Sequence, residues 1–138
     1  HYLRALCHIE GYGMAKNFTR GAEYLIKAAE EGNMDAQGEL GDLYFRGKGV
    51  EKSFEMGLYW WQKCADSGSG EAKSELKKLF NRLLKNNDKT PIEKYQLGYC
   101  YYFGYGTEID ITKAFLYMRE AADEGCVEAK NFIREYGA

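Results

Sequence analysis

Ala36-Gln37-Gly38-Glu39-Leu40-Gly41-Asp42-Leu43-Tyr44-Phe45-Arg46-Gly47-Lys48-Gly49-Val50 is the stretch from which the fold can be read. At about 100° per residue, Ala36, Leu40, Leu43 and Tyr44 share one face of a helix. Gly47 is placed to end that helix, because glycine accepts the left-handed conformation of a helix C-terminus, and Gly49 lets the chain turn back. Ser53 follows as an N-cap for a second helix, since a short hydroxyl side chain accepts from the unpaired amides of the first turn. In that second helix Gly57 and Ala65 are small where two helices approach closely, Trp60 fills the space between them, and Gly68 stops it. The unit is therefore helix A, glycine loop, helix B.

The same unit recurs to either side. Gly11-Tyr12-Gly13, Gly47-Lys48-Gly49 and Gly104-Tyr105-Gly106 are separated by 47−11=36 and 104−47=57 residues. The register holds away from the glycines. Asn17, Ser53 and Asp110 share one position, Tyr24, Trp60 and Tyr117 another, Ala29, Ala65 and Ala122 a third, and Gly32, Gly68 and Gly125 a fourth. Leu40-Gly41-x-x-Tyr44 matches Leu97-Gly98-x-x-Tyr101 at the offset of 57. A hairpin of this kind cannot bury its apolar face alone, so neighbouring units must stack. Strand-like alternation is absent, and Pro91 is the one proline, so the expected class is all-α.

These residues resemble the Sel-one-like repeat family. Unit two carries Ala36, Leu40, Gly41, Tyr44, Gly47, Gly49, Val50, Trp60, Lys63 and Gly68 of its pattern, and unit three carries Leu97, Gly98, Tyr101, Gly104, Gly106, Lys113, Ala114, Ala121, Ala122 and Gly125. Unit one departs, with Arg4-Ala5 in place of Leu-Gly and His8 in place of the tyrosine. The resemblance implies a tetratricopeptide-like, right-handed α-α superhelix, a solenoid, in proteins that serve as scaffolds and adaptors. Read this way, residues 1–138 form a single solenoid domain with units at 1–35, 36–70 and 91–127, an incomplete unit at 71–90, and a C-terminal helix in 128–138.

The incomplete unit arises because the spacing of 57 exceeds 36 by 21. Ala72, Leu76, Phe80 and Leu83 continue a helical stripe, Asn86-Asn87-Asp88 end it, and Thr90-Pro91 start the next helix. There is no Gly-x-Gly and no helix B, which predicts an orphan helix or a lengthened pair that alters the local superhelical path, with an unusual domain junction as the alternative. From Glu128 to Tyr136 the pattern reads as one more helix A, with Ala129, Phe132 and Ile133 packing it as a cap.

Composition narrows the function. The chain of 138 residues is 45% hydrophobic, enough for a core, and 19 Lys+Arg against 21 Asp+Glu give a formal charge of −2. Such a balance creates no field to draw in phosphate backbones or anionic lipid, and no apolar run reaches the roughly 18 residues of a spanning helix. Nucleic acid and membrane insertion are therefore poor expectations. No signal-peptide pattern is present, but the chain begins with His1 and enters a patterned segment at once, which leaves open a truncated N-terminus and any targeting signal on it. Cys7, Cys64, Cys100 and Cys126 have no Cys-x-x-Cys spacing. Cys7 and Cys100 share a repeat position, which points to a small core slot, and the lack of cysteine pairs within repeats favours a reducing, cytoplasmic compartment.

Chemistry finds little footing. Cys7 and His8 are sequence neighbours on different helix faces, so with His1 they make a poor metal site, and no Gly-x-Ser-x-Gly, P-loop or His-Glu-x-x-His is present. The Gly-x-Gly elements join helices and lack the strand of a dinucleotide fingerprint. No catalytic residue, metal or cofactor is expected. The expected function is a non-catalytic protein-protein scaffold or adaptor. Its alternatives are a regulatory or targeting module of a larger enzyme or secreted effector and, more distantly, a hydrolase with its site in the groove.

A partner, another protein or a peptide segment, is expected on the side of helix A that points away from the core. With Ala36, Leu40 and Tyr44 facing inward, that side of unit two carries Asp42 and Phe45. The equivalent side of unit three carries Tyr95, Tyr99 and Tyr102, and that of unit one Tyr2, Leu6 and Ile9. Tyrosine offers rigid contact area with a hydroxyl, which suits a binding surface. The competing expectation is that these residues pack against neighbouring helices, since burying one large side chain is worth roughly 1.5–3 kcal/mol. Tyr12 and Tyr105 read as solvated or loop-packing. Oligomeric state is not legible.

Overall fold

The structure is a computed structural model describing residues 18–137. The expected N-cap Asn17, the first glycine loop and Tyr2, Leu6 and Ile9 lie outside the described residues. Among those described there are seven helices and no strand: α1 (Phe18–Glu30), α2 (Met34–Arg46), α3 (Phe54–Asp66), α4 (Gly70–Lys85), α5 (Pro91–Phe103), α6 (Ile111–Asp123) and α7 (Val127–Tyr136). The all-helical class, the orphan helix (α4) and the C-terminal helix (α7) are as expected. The chain divides into two compact units, His1–Lys73 and Ser74–Ala138, whose boundary falls in the first turn of α4.

In the first unit α2 is helix A and α3 helix B. Asn33 and Ser53 cap them, their side chains accepting from the backbone N–H of Ala36 at 2.9 Å and of Met56 at 3.1 Å. Gly47 ends α2 with φ +71°, its N–H bonded to the Leu43 carbonyl. Leu25, Ala29, Ala36, Leu40, Leu43 and Trp60 form the core between α1, α2 and α3. Among the described residues, one core residue is polar. Gln37 donates its side-chain N–H to the Ala29 carbonyl at 3.1 Å and accepts from the Ser67 hydroxyl at 2.9 Å, so its burial leaves no amide group unpaired.

The second unit repeats the hairpin with α5 as helix A and α6 as helix B. Thr90 and Glu93 form a reciprocal capping box ahead of Pro91, and Gly104 ends α5 with φ +77°. Asp110 caps α6 through the Lys113 N–H at 3.0 Å. The two helices approach closely at Gly98, where an added Cβ would lie 2.9 Å from the Ala114 carbonyl oxygen. In α4, Leu76, Phe80 and Leu83 are buried as the stripe predicted, and Phe80 meets Tyr101 edge-on at 5.1 Å. Helix α7 closes the unit by burying Ala129 and Phe132.

Candidate functional site

Helix α5 carries the densest set of expected contact residues. Its buried face is broad, taking in Tyr95, Leu97, Gly98, Cys100 and Tyr101. Tyr95 is only 6% exposed and lies in a core cluster with Met118, Ala121, Cys126, Ala129 and Phe132. Tyr99 and Tyr102 are half-buried at the margin of that cluster. Tyr102 meets Phe132 edge-on at 5.1 Å and Phe115 at 5.9 Å, while Tyr99 lies 4.7 Å from Phe103 and 6.0 Å from Phe132. The structure thus brings Tyr95, Tyr99 and Tyr102 together, but at two depths.

The arc of α5 opposite the centre of this buried face is Ile92, Gln96, Tyr99 and Phe103, spaced by four, three and four residues as one helical stripe requires. Ile92 is 39% exposed and the others are half-buried. Tyr105, in the glycine loop, folds back on this stripe and stacks with Tyr99 at 6.1 Å and with Phe103 at 5.8 Å. Phe103, Tyr105 and Tyr136 were missed as candidates. The signal for Phe103 was available in the α5 period; that for Tyr136, 5.4 Å from Tyr102, required knowing where α7 lies.

In the first unit, the positions equivalent to Ile92, Gln96, Tyr99 and Phe103, obtained by subtracting 57, are Asp35, Glu39, Asp42 and Arg46. Asp42 pairs with Arg46 at 3.1 Å across one helical turn. Phe45 is engaged between helices: its ring meets Trp61 at 4.5 Å and Phe54 at 6.0 Å, and it covers Gly57, where an added Cβ would strike the ring at 2.7 Å. Gly57 is small because Phe45 needs that space.

Titratable groups are shifted for structural reasons. Burial pushes the Cys100 thiol up to about 12 and also raises that of Cys64. Tyr101 is raised by burial, with the nearby Tyr117 and Asp110 adding to it. Glu93 is lowered, chiefly by the Thr90 N–H, and Lys94 is raised by its bond to Glu124 at 2.5 Å. None of these groups lies on the α5 stripe. Among the described residues no three of His, Cys, Asp or Glu gather as metal ligands would, and no helix is long and apolar enough to cross a membrane. What the α5 surface presents is rigid aromatic area, suited to contact.

The family model for the Sel1 repeat matches residues 1–33, 35–69 and 94–126. Among solved structures, the chain is similar to a protective antigen present in uropathogenic Escherichia coli strains that displays an SLR fold, with 23% identity and a TM-score of 0.56 over 99% of this chain and 33% of that one. It is also similar to a Sel1 repeat protein from Oxalobacter formigenes, with 24% identity and a TM-score of 0.55 over 97% of this chain and 61% of that one. The chain thus spans less than two thirds of either relative. It matches none of the curated proteins.

Proposed function

The chain belongs to the Sel1 repeat family, and from that premise we propose that it is a non-catalytic adaptor that holds a segment of another protein against the outward face of a helix A. Sel1 repeats are generally protein-interaction modules. The observation that carries the finer reading is the aromatic stripe of α5, in which Tyr99 and Phe103 are held by ring packing on Phe132 and Tyr105 yet remain half-exposed. Rings held in this way contribute contact area with little side-chain entropy left to lose on binding. Tyr102 borders the surface, and Tyr95 supports it from beneath. In the first unit, Asp42 is proposed as a contact on its own helix, with Phe45 a packing residue at its border. Tyr2, Leu6 and Ile9 remain in the proposal by register alone. Residues 1–138 are proposed to form a single solenoid domain.

The test compares wild type with Tyr99→Ala as immobilised baits in native lysate, after circular dichroism establishes equal helicity. Tyr99 is chosen over Tyr95 because truncating a buried ring unfolds as readily as it unbinds. A protein captured by wild type and lost by Tyr99→Ala supports the reading. Identical capture by both refutes the α5 surface as the site.

A further inference from the structure

We infer that the α5 surface takes a basic segment, with arginine side chains laid on its rings; this rests on the reading above and names the chemistry of the partner. Along α7 the surface is bordered by carboxylates. On α7, Phe132 faces Tyr99, Tyr102 and Phe103. Glu128 and Glu135, four residues before it and three after, share its side of the helix. Both are exposed, and among the described residues neither is ion-paired.

The cations of α5 and α7, and Lys113 of α6, are directed elsewhere. Lys130 and Arg134 stand two residues to either side of Phe132 and therefore point to the other face of α7. Lys94, the one cation of α5, is held by Glu124. Lys113 lies over the ring of Tyr101, on the buried side of α5. A partner at the stripe therefore meets aromatic faces, negative at their centres, beside two carboxylates.

The repeat register supplies an independent observation. Glu128 and Glu135 occupy the positions of Asp35 and Asp42 in α2, since 128−35 and 135−42 are both 93. Two units, each taken by itself, thus place acids at the same two outward positions of helix A. Guanidinium suits such a surface better than ammonium, because it is planar, stacks on rings and is more weakly hydrated.

The test uses fluorescence polarisation with four pools of synthetic twelve-residue peptides, each with the same apolar and small residues and carrying three arginines, three lysines, three glutamates or no charge. The expected result is that the arginine pool binds most tightly, weakens as salt is raised, and weakens roughly tenfold with Glu128→Gln/Glu135→Gln, as the loss of two exposed charge pairs dictates. Tyr99→Ala removes the binding as well. If the uncharged or glutamate pool binds as tightly and is lost with Tyr99→Ala, the charge inference is overturned and the aromatic surface stands. If the arginine pool binds the Gln variant as well as wild type, the inference is overturned also. If no pool binds, or if Tyr99→Ala leaves binding unchanged, both readings fall.

Discussion

Gly104→Ala and Gly106→Ala differ by two positions in one loop and should differ severalfold in cost. Both glycines are left-handed, with φ +77° and +74°, so alanine at either pays about 1–2 kcal/mol for conformation alone. Their surroundings separate them. A Cβ on Gly104 would come within 2.9 Å of Cγ1 of Ile109, an exposed side chain free to turn away. A Cβ on Gly106 would overlap the backbone carbonyl of Leu76 and lie 3.0 Å from Cβ of Phe80, and neither atom can move unless α4 moves. Overpacking of that kind costs about 1–3 kcal/mol. The totals are therefore about 1–2 kcal/mol for Gly104→Ala and about 2–5 kcal/mol for Gly106→Ala. Urea unfolding followed by far-UV circular dichroism measures both, provided the two variants keep the wild-type slope. Losses equal to within about 0.5 kcal/mol would show that the orphan helix does not rest on this loop, and would refute the reason given for glycine at 106.

Three further outcomes are expected. Thr90→Ala removes the hydroxyl that caps α5 and should cost about 1 kcal/mol; because the Glu93 carboxyl is held below its ordinary value by the Thr90 N–H, its own contribution is present above pH 4.5 and is lost as pH falls through the lowered value, so a wild-type acid melt in which this end of α5 is insensitive to pH below 4.5 would contradict the capping box. With its thiol at about 12 and almost no exposure, Cys100 should be the slowest of Cys64, Cys100 and Cys126 to alkylate with iodoacetamide at pH 8, read by mass spectrometry; labelling ahead of Cys126 would contradict its burial. Phe132→Ala should cost about 3–5 kcal/mol and raise the nitration of Tyr102 by tetranitromethane, and unchanged nitration would mean that α7 does not cover that ring.

Most of the fold was legible because the repeat is written in local chemistry. A glycine needed at positive φ, a hydroxyl or carboxylate accepting from the first turn, and a proline at a helix start each act within four residues, so Gly47, Ser53, Asp110 and Thr90-Pro91 could be read directly. The satisfied burial of Gln37 depends on Ala29 and Ser67, eight residues before it and 30 after, and no local pattern announces it. The candidate surface sits between these cases. Reading Tyr95, Tyr99 and Tyr102 as one outward stripe treated α5 as though its flank were open, as a helix viewed alone always looks. What covers that flank is Phe132, which occupies the register position held by Glu39 in α2, since 132−93=39. A glutamate there faces solvent; a phenylalanine there brings Tyr95 into a core and leaves Tyr99 and Tyr102 at its edge. The depth of each tyrosine was thus encoded about 30 residues downstream, in one residue whose repeat position, more than its place in the Ala129, Phe132 and Ile133 stripe, carried the information.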